Sequence, residues 1–189
     1  PATLRRYLAS IAHLHRAAGL SDPTKSNEVR LGMKAIARHH GTFQQQAHGL
    51  TLGVVDRLLD AVPDTLRGRR DAALLAVAYS TLARRAELVA LDVADVTFSD
   101  DGSATVLIRR SKTDPTAEGS VRYLAPKATR LLSDWLMISG VSAGPLFRTT
   151  PRGRDIGEAL SGNDVARAFK RLAEAAGLPL EYLMRISGQ

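Results

Sequence analysis

The chain has 189 residues, of which 44% are hydrophobic and 24% are charged, a balance typical of a folded globular protein and not of a disordered one. No apolar run approaches the roughly 20 residues that a membrane-spanning helix requires. The chain contains no cysteine, which excludes disulfides and thiolate metal ligands, and its net charge of +7 favours an anionic partner.

The excess of basic residues is concentrated near the start of the chain. Residues 1–50 contain seven lysines and arginines and two acidic residues, whereas the remaining residues carry a net charge of only +2. A basic helical segment is the electrostatic footprint of a protein that binds the phosphate backbone of nucleic acid. A solvated basic face without a partner explains the charge equally well. Charge alone therefore leaves both interpretations open.

Two helices are predicted within the first forty residues. Apolar residues at helical spacing predict the first helix, which Gly19 ends, and these are Leu4, Leu8, Ile11 and Leu14. Ser26 or Asn27 is expected to cap the second helix, whose inner side carries Val29, Met33, Ile36 and Ala37. Residues 41–50 have no periodicity and are rich in glutamine, and we interpret them as a linker between two domains.

The next part of the chain predicts helices that precede a small sheet. Thr51 is expected to cap a helix that Pro63 ends, and the nearly apolar residues 71–80 predict a buried helix. After a short polar cluster, residues 93–110 predict two strands around an Asp-Asp-Gly turn. Residues 111–120 then predict a loop, and residues 121–126 predict a third strand.

Helical periodicity returns in the last third of the chain. Residues 127–139 predict an amphipathic helix, residues 144–162 are mainly loop, and residues 163–176 predict a helix that Gly177 ends. The predicted fold class is therefore mostly α with a small antiparallel sheet (α+β).

A group of charged residues follows the buried helix directly. It contains Arg84, Arg85 and Glu87, so at least one of these charges is expected near the core. A buried arginine is costly unless it meets an anion or a carboxylate. Glu87 lies three residues from Arg84, on the same face of a helix, and can orient its guanidinium toward a phosphate. An Arg–Glu pair that only stabilises the domain is the more common arrangement, so these residues alone leave both interpretations open.

Lys112 lies in the predicted loop between the second and third strands. A lysine on a hairpin is a mobile proton donor that can reach a leaving oxygen, although surface loops commonly carry lysines. All five histidines lie within the first 48 residues without metal-ligand spacing, and the chain has neither a GxxxxGK[ST] nor a GxGxxG motif. We therefore expect no metal site and no cofactor.

Four segments stand out by their order and spacing: HLHRAAGL, SNEVRLGMKAIAR, TLARRAELVAL and VLIRRSKT. Together they resemble the tyrosine recombinase (phage integrase) family, most closely its Cre-like phage and plasmid members, over essentially the whole chain. The resemblance implies that residues 1–40 are the C-terminal part of a helical, SAM-like core-binding domain. It also implies that residues 41–50 are the linker and that residues 51–189 are the N-terminal part of a truncated catalytic domain.

The resemblance implies a role for each matched residue. Arg84 would be the first arginine of the catalytic set, which grips the scissile phosphate, and Glu87 its acidic supporter. Lys112 would be the general acid that protonates the leaving 5′ oxygen. In this family a tyrosine attacks to form a covalent 3′-phosphotyrosine, which conserves the bond energy for rejoining. The basic side chains of the first two helices are expected to contact DNA phosphates, in particular Arg5, Arg6, Lys34 and Arg38.

The end of the chain departs from the family pattern. In Cre-like members a Ser-Gly pair precedes a His-x-x-Arg element, but here Ser187 and Gly188 are followed by Gln189, where the histidine is expected. The second arginine, a later His or Trp and the nucleophilic tyrosine belong beyond this position. All the tyrosines precede it and none matches the nucleophile: Tyr7, Tyr79, Tyr123 and Tyr182. We expect a chain cut from a longer protein and unable by itself to cleave DNA.

Two functional hypotheses follow. In the first, the chain is part of a site-specific recombinase or integrase. In the second, it is a catalytically inactive DNA-binding remnant that competes with an intact recombinase for its sites. The sheet with Lys112 argues against a third, a purely helical DNA-binding regulator. The resemblance implies double-stranded DNA as the partner, a homotetramer of the intact protein on DNA, no membrane, and a bacterial cytoplasmic, nucleoid-associated location.

Overall fold

The computed structural model describes residues 2–41, 50–109, 119–151 and 155–179. The chain divides into two compact units, Pro1–Gln46 and Ala47–Gln189. The described residues form seven α-helices and one three-stranded antiparallel sheet, which confirms the predicted mostly α fold with a small sheet. None of the described helices is long and apolar enough to cross a membrane.

The first unit contains helices α1 (Ala2–Ala17) and α2 (Asn27–His40). Ser26 caps α2, because its hydroxyl oxygen accepts a hydrogen bond from the Val29 N–H at 3.3 Å. Of the two caps that the sequence allowed, the serine is therefore the correct one. Gly19 follows α1 with a φ of 67°, a left-handed conformation that glycine adopts without strain.

The apolar residues whose spacing predicted α1 are largely exposed in this unit, whereas the residues predicted for the inner side of α2 are half-buried: Val29, Met33, Ile36 and Ala37. Leu4 and Ile11 are each 40% exposed and Leu14 is 66% exposed, and neither α1 nor α2 contains a buried residue. Helical spacing identifies an apolar side of a helix, but it does not say what covers that side. Two helices alone do not enclose a core in this unit.

Helix α3 (Leu52–Asp60) opens the second unit. It begins after Thr51, as predicted, although the Thr51 side chain makes no capping hydrogen bond, and it ends three residues before Pro63. Val55 and Leu58 are its buried residues, at 3% and 0% exposure, and they belong to the core of the second unit.

Helix α4 (Leu66–Thr81) is the centre of the second unit, and every residue from Arg70 to Ala78 is buried. The hydroxyl oxygen of Thr65 caps it by accepting a hydrogen bond from the Gly68 N–H at 3.0 Å. Position 68 must be glycine, since a Cβ there would lie 2.0 Å from the carbonyl oxygen of Pro63. The sequence placed the start of this helix five residues too late, because its arginine-rich first turn resembles solvent-exposed sequence.

The sheet consists of β1 (Val96–Phe98), β2 (Ala104–Ile108) and β3 (Ser120–Leu124), in that order and antiparallel. Val106 at the centre of β2 pairs with Val96 on one side and Arg122 on the other. The inward face of β2 is fully packed, since its first, third and fifth residues are at most 4% exposed. The third strand ends two residues earlier than predicted because a proline begins the next helix.

Helices α6 (Pro126–Ser139) and α7 (Gly162–Ala175) pack against α4 and complete the core. Trp135 of α6 is wholly buried, and its indole N–H donates a hydrogen bond to the Leu146 carbonyl at 2.9 Å. Ser161 caps α7, and its backbone N–H donates in return to the Asp164 carboxylate at 2.8 Å. Both helices lie within one residue of their predicted bounds.

Candidate active site

The turn between α4 and α5 (Arg85–Val89) positions Arg84. Helix α4 ends with Leu82 in the left-handed conformation, at a φ of 52°. The Thr81 hydroxyl stabilises the turn by donating to a carbonyl one helical turn earlier at 2.7 Å and accepting from the Ala83 N–H at 3.2 Å. A left-handed leucine costs about 1–2 kcal/mol, and strain of this kind is concentrated at functional sites.

The guanidinium of Arg84 is held by Glu87. Its Nη1 lies 2.9 Å from Oε1 of the glutamate, while the other carboxylate oxygen accepts the backbone N–H of Arg84 at 2.8 Å. The Glu87 side chain is 10% exposed and that of Arg84 is 40% exposed. The sequence predicted that the two residues share a helical face. They do not, because Arg84 has extended backbone and immediately precedes α5. The carboxylate therefore fixes both the start of α5 and the orientation of the arginine.

Arg84 opens onto a cavity of about 260 Å³ between the end of α4 and the inner side of the β2–β3 hairpin. This cavity, the α4–hairpin cavity, is lined by Thr81, Leu82, Ala83, Arg84, Glu87, Ile108, Ser120 and Arg122. Its volume is below the range of roughly 300–1,000 Å³ that is usual for small-molecule and cofactor pockets. Its two guanidinium groups are suited to an anion, and a phosphate is the anion that such planar forks bind through paired hydrogen bonds.

Two of the residues that carry the sequence-based predictions lie outside the described residues. Lys112 belongs to residues 110–118, and Gln189 belongs to residues 180–189, which also contain Tyr182. The described ends of the β2–β3 loop are near Ile108 and Ser120, and both of these line the α4–hairpin cavity. Among the described residues that line the cavity, none is a tyrosine.

Residues 48–185 match the model of the phage integrase family. The chain belongs to this family. It is 33% identical over 188 residues to an integrase/recombinase XerD homolog of Selenomonas ruminantium, a match that covers 93% of this chain and 54% of the relative. It is 31% identical over 148 residues to the recombinase Cre of Escherichia phage P1, covering 76% of this chain and 43% of Cre. The chain therefore spans about half the length of these relatives.

Solved structures show the same fold at lower identity. The crystal structure of the XerA recombinase superposes with a TM-score of 0.57 at 16% identity, covering 99% of this chain and 65% of that one. The XerH recombinase bound to its difH substrate, in a pre-cleavage complex, superposes with a TM-score of 0.57 at 19% identity, covering 97% of this chain and 56% of that one. The resemblance to tyrosine recombinases that the sequence motifs indicated is confirmed.

The phage integrase motifs did not single out Arg122, which lines the α4–hairpin cavity together with Arg84. The available signal was the alternation of β3, because Arg122 stands two residues before Leu124, which is fully buried. The sequence analysis treated β3 only as the strand that follows Lys112 and did not examine its faces.

A second cavity of about 240 Å³ in the integrase unit is lined by Arg67, Arg70, Thr149, Thr150, Pro151, Asp164, Arg167 and Arg171. Its arginines are bonded internally. Arg70 donates to Asp71 from Nε and Nη2 at 2.9 and 2.6 Å, and Arg171 donates to the other oxygen of Asp71 at 2.8 Å. Hydrogen bonds from Ser161 and Arg167 lower the pKa of Asp164 to about 2. These pairs connect α4 to α7 and give this cavity a structural role.

The basic residues predicted to contact DNA lie on both helices of the first unit. Arg5 and Arg6 are exposed on α1, and Lys34 and Arg38 are exposed one turn apart on α2. Within the described part of the chain, none of the four forms a salt bridge, whereas other arginines of this unit, such as Arg30 with Asn27, bond to neighbouring groups. Four exposed cations on two helices are consistent with phosphate contacts, and their role stays a prediction.

Proposed function

We propose that this chain is part of an enzyme that recombines DNA at specific sites, through strand cleavage and rejoining with a 3′-phosphotyrosine intermediate. The observation that carries the proposal is the position of Arg84. Its guanidinium is held by a nearly buried carboxylate and lines a cavity of about 260 Å³, which is large enough to admit a phosphodiester group. Membership of the phage integrase family supports the same reaction class.

In this proposal the fixed cations replace the metal ions of other phosphoryl transfers. Arg84 binds the scissile phosphodiester and neutralises the charge that builds on its oxygens in the transition state. Glu87 holds the guanidinium in place, which avoids reorganisation during the reaction. Lys112, four residues after the cavity-lining Ile108, donates the proton that the leaving 5′ oxygen requires.

The nucleophile is proposed to come from residues beyond this chain. None of the described residues that line the α4–hairpin cavity is a tyrosine, and Tyr123 is 58% exposed on the outer face of β3. By its resemblance to Cre-like recombinases, the chain is expected to carry Gln189 where they carry a histidine. We therefore assign DNA binding to this chain and strand cleavage to the longer protein. The longer protein is proposed to act as a homotetramer on double-stranded DNA in the bacterial cytoplasm, at the nucleoid.

The test of this function is the covalent intermediate. Duplexes that the longer protein binds are selected from a random-sequence pool, nicked near the centre, and incubated with the protein before denaturing electrophoresis. We expect a protein–DNA band that survives denaturation, because the phosphotyrosine bond is covalent. The present chain should bind the same duplexes without forming that band. If the longer protein binds DNA but forms no adduct, the recombinase proposal fails and a DNA-binding competitor is supported in its place.

The basic surface of the first unit has a quantitative test of its own. We expect that replacing Arg5, Arg6, Lys34 and Arg38 together by glutamine lowers the slope of log affinity for duplex DNA against log salt by about four units, since each phosphate contact contributes about one. Affinity is measured by fluorescence anisotropy at several salt concentrations. Circular dichroism serves as the control, because replacing these exposed residues should leave the helical content unchanged. An unchanged slope would show that DNA binds elsewhere.

A further inference from the structure

Arg122 lies at a position of β3 that strand alternation assigns to the inward face, although its side chain is exposed. In β3, Ser120, Arg122 and Leu124 share one face, because side chains alternate along a strand. Leu124 is fully buried, and Arg122 pairs across the sheet with Val106, which is also fully buried. The opposite face carries Val121, which is 65% exposed. By position, residue 122 faces the side of the sheet that packs on the core.

This inward position opens onto the α4–hairpin cavity instead of being covered. Arg122 and Arg84 line the same cavity, and Glu87 is the acidic residue among its described lining. Because Glu87 is paired with Arg84, Arg122 gives the described lining an excess of one positive charge. Within the described residues the side chain of Arg122 has no hydrogen bond and no ion pair, in contrast to that of Arg109 of the same hairpin, which pairs with Asp95 at 2.6 Å.

Two guanidinium groups beside one cavity repel each other, and solvent screens this repulsion because Arg122 is exposed and Arg84 is partly exposed. A bound anion replaces the repulsion by attraction, because a phosphodiester has two unesterified oxygens and each can accept hydrogen bonds from one planar guanidinium.

We propose that Arg122 is a phosphate-binding residue of the active site, which contacts the same DNA phosphodiester as Arg84. The proposal rests on the function proposed above. Arg84 grips one unesterified oxygen from the α4 side of the cavity and Arg122 reaches the other from the β3 side. The resemblance to the family's motifs assigns no role to this position. The two arginines together hold the phosphate between the helix and the hairpin that leads to Lys112.

The experiment compares DNA binding and stability in three variants of the present chain. Arg122→Leu replaces the charge by an apolar side chain, Arg84→Ala tests the other proposed member of the pair, and Arg130→Leu removes the same charge from the exposed surface of α6. Affinity for a 30-base-pair duplex is measured from low to high salt, and thermal unfolding is followed without DNA.

For Arg122→Leu we expect a salt slope lower by about one unit and an affinity reduced roughly tenfold at low salt. We also expect an unfolding midpoint that changes by less than about 2 °C, because Arg122 is exposed and its side chain makes no hydrogen bond or ion pair with the described residues. Arg130→Leu should leave the slope unchanged. A lower midpoint with unaltered DNA binding would overturn the proposal, because it would show a structural role.

The same data separate this inference from the function on which it rests. If Arg84→Ala weakens binding and Arg122→Leu does not, the role of Arg122 alone is wrong. If neither variant changes affinity or slope, the α4–hairpin cavity does not hold a DNA phosphate, and the proposed function loses the observation on which it mainly depends. If both variants weaken binding and the double variant loses no more affinity than either single variant, the two arginines share one phosphate.

Discussion

Replacing Asp71 by alanine is expected to destabilise the second unit by about 3–5 kcal/mol. The carboxylate is 4% exposed and accepts hydrogen bonds from two arginines, Arg70 on the same helix and Arg171 on α7. The Arg70 side chain is 5% exposed, so it would remain as a buried charge without its carboxylate. Removing one partner of a buried ion pair is far more costly than the pair is worth, because the other charge has lost its hydration.

The matched control is the exposed pair of Arg69 and Asp64. Its atoms are also 2.8 Å apart, but the side chains are 42% and 83% exposed, so Asp64→Ala should cost less than about 1 kcal/mol. Urea unfolding followed by circular dichroism gives both values under the same conditions. A similar loss in both variants would contradict the assignment of Asp71 as the connection between α4 and α7.

The helices of this protein were predictable because their signals are local. Apolar spacing and caps lie within a few residues of each other, and α6 and α7 were placed to within one residue of their bounds. The first turn of α4 was missed for a physical reason. The arginines near the start of α4 bind groups far along the chain: Arg67 donates to Thr150 and Arg70 donates to the carbonyl of Arg148, so neither can be distinguished in the sequence from an arginine that faces solvent.

The candidate site was predictable in part. The sequence identified Arg84 and Glu87 as a pair, and the two side chains do form an ion pair, although through a helix start and not through a shared helical face. The contribution proposed for Arg122 was missed, because it depends on how β3 packs beside the end of α4, which the sequence does not show. The part of the site assigned to Lys112 stays a prediction that rests on the family resemblance.

The exposed apolar side of α1 shows the limit of periodicity as evidence. Leu4, Ile11 and Leu14 have the spacing of a buried stripe, yet each is at least 40% exposed. Spacing records that a side chain is suited to burial, whereas burial itself depends on what other elements the protein places against the helix. In the second unit the same spacing in α7 leads to complete burial, because α4 lies against it.

The largest functional effect is expected from Arg84. In the longer protein, we expect Arg84→Ala to lower the rate of covalent adduct formation by a factor of about 10²–10³, the loss that follows removal of one preorganised donor from a developing oxyanion. Arg84→Lys should also be strongly impaired, because a lysine keeps the charge opposite Glu87 but cannot form two parallel hydrogen bonds to a phosphate. The rate is measured as the appearance of the denaturation-resistant band under single-turnover conditions.

The neighbouring Arg85 provides the control for these rates. It carries the same charge one residue further along, but its side chain lies beside Gly162 at the start of α7 and does not line the α4–hairpin cavity. Arg85→Ala should therefore change the rate by less than about threefold, since a charge outside the cavity makes no hydrogen bond to the phosphate and acts only through the screened field of the protein. The lysine variant at position 84 keeps a cation beside Glu87, so a slow rate there reports lost phosphate binding and not unfolding. Wild-type adduct levels in Arg84→Ala would remove Arg84 from the catalytic set, and with it the interpretation of the cavity as the place where DNA is cut.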